Sequence, residues 1–304
     1  MKHINTDVLI VGGGPAGLEA AMILGRGGRS VILCDDDRPR NARVAQMHYF
    51  PTRDGMSPKD FREAFHQDLS HYEKISIKNV RVEKAARNEL GFISTLSNGE
   101  IVQSKKIIIA TGVKDIMPAI PGYEEHFATT VFHCPFCHGY EHRNQALAVV
   151  ANGDMGMHMI AIMLGLSPDL VVFTNGPSQF SGEQLSLLKS KNIRLEESPI
   201  REILGDGKGH LRTILLQDGT RVDREAMLFR PDQKQKSDLA LELGCTLNDM
   251  GLIEAVDGVT KQKGVFVAGD TVDMKQSALT ATYYGLLAGV MANNELAMEA
   301  LHGH

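Results

Sequence analysis

Residues 7–37, DVLIVGGGPAGLEAAMILGRGGRSVILCDDD, restrict the fold more than any other stretch of the chain. Residues 7–11 form a short leucine and β-branched run of the kind that lies buried in a parallel sheet. Three glycines follow in the spacing GxGxxG: Gly12, Gly14 and Gly17. From residue 15 to about residue 25 apolar side chains return at helical spacing, with Leu18, Ala21, Met22 and Leu24 on or near one face. A second strand then ends at Asp35, eighteen residues past Gly17. Strand, glycines, helix, strand and terminal acid make the order of a dinucleotide-binding βαβ unit, whose acid stands about 20 residues past the turn. Gly12 permits the tight turn, Gly14 lets the backbone approach a pyrophosphate, and Gly17 lets helix and strand pack closely. The helix N-terminus then points its free N–H groups at the phosphates. Asp35 accepts from a ribose hydroxyl, which disfavours a 2′-phosphate there.

Two later strands decide which dinucleotide. Residues 105–112, KKIIIATG, read as a strand ending in Ala110, Thr111 and Gly112, and residues 264–270, GVFVAGD, as one ending in Gly269 and Asp270. Asp270 suits the polyol chain of a flavin nucleotide, although an N-cap or an ordinary loop acid has the same appearance. A helix beginning near Gln276 or Ser277 would present its N-terminus to an anionic ring edge. Reduced flavin has such an edge and NAD does not, so the expected cofactor is FAD.

Length and composition bound the rest. At 304 residues the chain has room for about two domains. Apolar residues make up 43% and charged residues 23%, as in an ordinary globular protein. The net charge of −5 and the lack of a basic stripe argue against nucleic acid or an anionic membrane surface as the main partner. No uninterrupted apolar run reaches the roughly 18 residues of a membrane-spanning helix. The opening MKHINTDVLIVGGGPAG resembles a signal peptide only until Asp7 and the glycines break it. Four cysteines do not make a disulfide framework at this size, and a cytoplasmic protein is expected.

Two of those cysteines lie in VFHCPFCHGYE, residues 131–141, as His133-Cys134 and Cys137-His138. Zinc asks for four ligands, usually from two separated pairs. Cys34 and Cys245 are singletons, and four ligands within six residues could hardly close a tetrahedron. Two uninvolved buried cysteines are a second reading. A redox dithiol is the third and the one the flavin argument favours, because thiols of a CxxC are often acidic enough to react near neutral pH. His138 and His133 are the available general bases. Residues 48–61, HYFPTRDGMSPKDF, suit either the flavin neighbourhood or plain surface, and Tyr283 and Tyr284 are equally open.

GGGPAG near the start, ATG before a hinge, CxxC after it and AGD near the end, in that order, resemble the low-molecular-weight thioredoxin reductases over almost the whole chain. FHCPFCHGYE and DDDRPRNA are similar to the branch that includes the gliotoxin and holomycin dithiol oxidases. His138 stands where ordinary thioredoxin reductases have Asp. The resemblance implies an α/β fold of two Rossmann-like, three-layer nucleotide-binding domains, the second inserted in the first. The FAD domain would comprise 1–114 and 245–304 and the NAD(P)H-binding-like domain 115–244, with linkers at 112–125 and 230–237. It implies a homodimer. It implies FAD contacts at Gly12, Gly14, Pro15, Ala16, Gly17, Asp35, Arg40, Asn41, Ala110, Thr111, Gly112, Gly269, Asp270, Gln276, Ser277 and Ala278. It also implies that Cys137 faces the flavin while Cys134 exchanges with the outside partner, with His138 favoured over His133 as base.

NADPH is doubtful. The second glycine turn, in ALAVVANGDMGMHMIAIMLGL (146–166), runs Ala151, Gly153, Gly156, with Ala replacing the first glycine. After the next strand an NADPH site needs arginines and an NADH site an acid. Instead Thr174, Asn175, Gly176, Pro177 and Ser178 follow, with no Lys or Arg from residue 169 to 184. The expected activity is therefore oxidation of a small dithiol to its disulfide, with dioxygen as acceptor and hydrogen peroxide as product. The alternative is a disulfide reductase acting on a thioredoxin-like protein, fed by NAD(P)H or another donor such as ferredoxin. A flavin-bearing redox sensor and a zinc-stabilised interaction module are the readings outside enzymology.

Overall fold

In this computed structural model, which describes residues 2–303, the glycine turn joins β1 (His3–Val11), α1 (Pro15–Arg26) and β2 (Val31–Asp35) as the spacing requires. β1 lies between β2 and β6 (Ile101–Ile109), parallel to both, and β3 (Ile75–Asn79) extends the sheet beyond β2. The far edge of β6 is divided. Its second half pairs in parallel with β17 (Val265–Val267), and its first half pairs antiparallel with β5 (Gly91–Leu96), which carries β4 (Val82–Asn88). Both faces of the parallel part are covered, which is why its strands are continuous apolar runs. Alternate residues go to opposite faces. Val8, Ile10, Leu33, Ile108 and Phe266 pack beneath α1 and the long α8 (Ala278–His302), while Leu9, Val11, Ile32, Ile107 and Val267 face the other way.

α1 and α8 touch backbone to backbone. A Cβ at Gly285 would lie 2.2 Å from the Ala16 carbonyl oxygen, and one at Gly289 3.1 Å from that of Ala20. The buried Lys106 on β6 ties the sheet to α8 by donating to Glu295 at 2.8 Å and Glu299 at 2.6 Å. α2 (Pro58–Leu69) follows β2 in the same unit, capped by the Ser57 hydroxyl, which accepts from the Asp60 amide at 3.0 Å.

This first unit comprises residues 2–46, 50–114 and 233–303, and the second residues 47–49 and 115–232. The chain passes between them in two short strands that pair with each other, β7 (Val113–Ile116) and β16 (Asp232–Gln235). The return to the first unit thus falls at 232/233, earlier than the expected 244/245. The reason is α7 (Leu239–Glu242), whose Leu239 and Ala240 are buried in the first unit's core with Cys245.

The second unit is Rossmann-like too. Its parallel sheet has the order β11 (Arg194–Glu196), β10 (Leu170–Phe173), β9 (Leu147–Val150), β15 (Ala226–Leu228), β8 (Val131–Phe132). α5 (Gly153–Leu164) and α6 (Gly182–Ser190) alternate with its strands, and β12 (Ile200–Gly205), β13 (Leu211–Leu216) and β14 (Arg221–Asp223) form a separate antiparallel sheet. Two four-residue helices, α3 (Tyr123–His126) and α4 (Pro135–His138), precede β9. Among the described residues, no helix is long and apolar enough to cross a membrane.

Candidate functional site

The first cradle sits at the carboxyl ends of β1, β2, β6 and β17. Gly12 has φ 109°, and a Cβ there would lie 2.4 Å from the Ala110 carbonyl oxygen, so the turn and the end of β6 exclude any side chain. Gly17 is closed as firmly from the helix side, its Cβ position being 1.9 Å from the Gly12 carbonyl oxygen. At Gly14 no atom lies within 4 Å of the Cβ position. Its backbone, with Pro15 opening α1 behind it, faces open space suited to a pyrophosphate. Ala16 is buried against Gly269 and α8, so only its backbone is available to a ligand.

Asp35, half-buried at the end of β2, folds back over the turn: a Cβ at Gly13 would meet its Oδ2 at 2.7 Å. Neither Gly13 nor Arg62 on α2 is marked for this place by any spacing in the linear chain. Arg62 Nη2 lies 3.6 Å from Asp35 and 2.5 Å from Asp37, and its buried Nε has no hydrogen-bond partner. Arg40 donates to Asp270 Oδ2 at 3.2 Å and to Gln276 Oε1 at 2.6 Å, so three residues far apart in sequence converge. Asn41 lies in the turn after Arg40, its carbonyl accepting from the Val44 amide at 3.1 Å. Gly112, with φ 69°, places its Cβ position 3.9 Å from Asp270, and the buried Thr111 hydroxyl beside it lacks a partner. An orphaned hydroxyl and an open glycine backbone, lined by paired polar groups, fit a bound nucleotide. α8 begins at Ala278, and Ser277 caps it by accepting from the Thr280 amide at 3.0 Å. Tyr284 donates to Asp273 within this unit, and Tyr283 is exposed.

In the second unit Cys134 and Cys137 form a disulfide across α4. Cys134 caps that helix, its sulfur accepting from the Cys137 amide at 3.2 Å. The Tyr49 hydroxyl lies 3.3 Å from Cys137 Sγ, and His48 lies 3.6 Å from Glu141. The other two cysteines are of a different kind: burial pushes the Cys34 thiol up to about 12 and raises that of Cys245. Neither is a reactive thiolate near neutral pH.

His138 ends α4 with its ring stacked on Phe132 at 6.0 Å, and His133 stacks on Phe127 at 5.7 Å. Both His138 ring nitrogens are buried without partners. Burial holds its pKa below the ordinary value of 6.5; Glu141 opposes this and His142 and His48 add to it. The imidazole is therefore neutral around pH 7 and has a lone pair for a proton.

The second glycine turn is occupied by the protein's own bonds. Ala151 is buried, and the Asn152 carboxamide accepts from the amides of Gly153 at 3.0 Å and Gln179 at 2.7 Å while donating to the Pro177 carbonyl at 3.0 Å. The acid Asp154 stands in the first turn of α5, where it accepts from Gln184 at 2.8 Å. At the end of β10 the Thr174 hydroxyl donates to the Gly176 carbonyl at 2.5 Å, and Asn175 accepts from the Ile200 amide at 2.8 Å. The Thr174 hydroxyl and the Asn175 carboxamide oxygen thus both bond to backbone of the same unit.

A family model for pyridine nucleotide-disulphide oxidoreductases matches residues 6–285. The chain is 32% identical to the thioredoxin reductase tcpT of Claviceps purpurea (strain 20.1), covering 95% of this chain and 94% of that one. It superposes on the crystal structure of HlmI with a TM-score of 0.91 at 28% identity, covering 100% and 96% of the two chains. Against the oxidoreductase from Agrobacterium tumefaciens the TM-score is 0.90 at 30% identity, covering 97% and 99%.

Proposed function

The chain belongs to the pyridine nucleotide-disulphide oxidoreductase family and is a thioredoxin reductase-like disulfide oxidoreductase, and from that premise we propose that it oxidises a small dithiol to a disulfide with dioxygen as the final acceptor. The observation that carries this direction of flow is the second glycine turn. Asn152 stitches it to residues 177–179, Asp154 places negative charge at the helix end a pyrophosphate would approach, and neither Lys nor Arg occurs from residue 169 to 184. A nucleotide 2′-phosphate there loses two or three charge-assisted contacts of roughly 1.5–3 kcal/mol each.

Proteins of this thioredoxin reductase-like kind are flavoproteins. The residues that would hold FAD here are those of the first cradle: the Gly12–Gly14 turn and α1 for the pyrophosphate, Asp35 for the ribose, and Arg40, Asp270 and Gln276 for the remaining polar groups. Bound FAD would supply what side chains lack, a two-electron acceptor able to pass the electrons on to dioxygen.

The chain's own residues handle the sulfur chemistry. A substrate thiolate attacks Cys134 Sγ, the Cys134–Cys137 bond breaks, and its electron pair stays on Cys137 Sγ. The second substrate thiolate then attacks its partner sulfur in the mixed disulfide, releasing the oxidised product and the Cys134 thiolate. His138 accepts a substrate thiol proton, and burial keeps it in the accepting form. Because the folded-state pKa is lowered, neutral His138 persists as pH falls below 6.5, so the acid limb of the rate profile lies below that value. The His138→Asn enzyme is expected to lose that limb and about 10²–10³-fold in kcat. An unchanged profile contradicts the role.

A second reading, reduction of a disulfide partner, is favoured by the name thioredoxin reductase of the Claviceps purpurea relative. Anaerobic mixing decides between them. Dithiothreitol is expected to bleach the flavin absorbance, with colour and peroxide returning on admission of air. NADPH at equal concentration is expected to act at least ~10²-fold more slowly, the effect of losing two phosphate contacts. Rapid bleaching by NADPH establishes the reductase instead.

A further inference from the structure

We infer that Tyr49 is a catalytic residue of the disulfide: its hydroxyl hydrogen-bonds Cys137 Sγ and holds that sulfur as a thiolate when the bond to Cys134 opens. The inference rests on Cys134 and Cys137 being the redox pair and is independent of the direction in which electrons flow.

The segment that carries Tyr49 is attached residue by residue to the disulfide-bearing unit, in which residues 47–49 are included. Met47 is buried, His48 lies 3.6 Å from Glu141 in the turn following α4, and the Tyr49 hydroxyl lies 3.3 Å from Cys137 Sγ. Tyr49 adopts φ 49°, a left-handed conformation that bulky side chains rarely occupy. Such strain persists where surrounding contacts enforce it, and it collects at functional positions.

The chemistry follows from who holds the proton. A disulfide sulfur has none, so in this state the tyrosine must donate. Disulfide sulfur is a weak acceptor, whereas a thiolate is a full anion. When an incoming thiolate bonds to Cys134 Sγ, the old S–S bond breaks and its electron pair remains on Cys137. The tyrosine keeps its proton throughout, and its hydrogen bond becomes charge-assisted at the moment charge develops. Each sulfur then has one donor, the Cys137 amide for Cys134 and Tyr49 for Cys137.

The test compares Tyr49→Phe with Tyr49 in a Cys134→Ser background, which leaves Cys137 as the unburied cysteine. The full-length flavoprotein is treated with iodoacetamide across a pH range, and alkylation of the Cys137 peptide is followed by mass spectrometry. The neighbouring titratable and charged groups His133, His138, Glu141, His142 and Arg143, with His48 beside the tyrosine, are the same in both proteins, so the difference isolates one hydroxyl. The midpoint is expected to rise by about one pH unit in Tyr49→Phe, which corresponds to about tenfold less thiolate at a pH below both midpoints. With both cysteines present, Tyr49→Phe is expected to be reduced by dithiothreitol about tenfold more slowly. A midpoint that stays in place or falls overturns the inference. Alkylation uses neither dioxygen nor NADPH, so this result stands whether the enzyme proves to be an oxidase or a reductase.

Discussion

Cys137→Ser is expected to stop dithiol-driven oxygen consumption, by ~10³-fold or more, while the protein stays folded and yellow. The serine oxygen cannot form a bond equivalent to the disulfide, so the electron pair released by the substrate has no acceptor sulfur. Structure is spared because Cys137 is half-buried on a helix of only four residues and the change replaces one small atom by another. The cysteine left behind should also report its role. Offered a small disulfide, the Cys137→Ser protein should accumulate a mixed disulfide at Cys134, visible by intact mass, faster than the Cys134→Ser protein does at Cys137. Normal turnover in Cys137→Ser, or faster trapping at Cys137, would reject the assignment of roles. Cys34 and Cys245 cannot stand in, since burial raises both thiols and that of Cys34 reaches about 12.

The second large effect is expected at Gly17. A Cβ there would stand 1.9 Å from the Gly12 carbonyl oxygen and 3.3 Å from Ile10 Cγ2. The obstructing atom is backbone, and α1 cannot retreat because Gly285 of α8 already meets the Ala16 carbonyl on its other side. Gly17→Val therefore forces the helix off the sheet at the turn that shapes the nucleotide cradle. The cost is expected to exceed about 4 kcal/mol, a large share of the roughly 5–15 kcal/mol that holds a typical domain together. Purified protein should be colourless, with Tm lowered by ~10 °C or more. Gly14→Ala provides the contrast. Nothing lies within 4 Å of its Cβ position, so the fold should be unaffected while flavin retention falls. Equal behaviour of the two variants would mean that the open space at Gly14 is not the phosphate site.

The glycine pair shows why so much was legible in the linear chain. Within the GxGxxG turn, the positive φ of Gly12 and the 1.9 Å clash between a Cβ at Gly17 and the Gly12 carbonyl oxygen are local and each leaves only one residue type, although β6 closes on Gly12 as well. The same locality explains the disulfide: two residues between the cysteines bring the sulfurs together across one helical turn. The lack of Lys and Arg from residue 169 to 184 was legible because a missing charge needs no coordinates. That Asn152, Thr174 and Asn175 spend their side chains on nearby backbone was not, since the same residues would serve equally well facing a ligand.

The sequence by itself therefore determined the two βαβ frameworks, the position of the first glycine turn and the pair of cysteines close enough to join, all of which rest on short-range sterics and bond lengths. Only the tertiary structure decided that Arg62 shares the Asp35 carboxylate, that Arg40 meets Asp270 and Gln276, that Leu239 and Ala240 draw the chain back into the first unit, and that Tyr49 reaches Cys137. These contacts join residues from different elements, 88 positions apart for Tyr49 and Cys137 and 230 for Arg40 and Asp270. Their existence depends on how whole sheets and helices pack, and no local spacing encodes that.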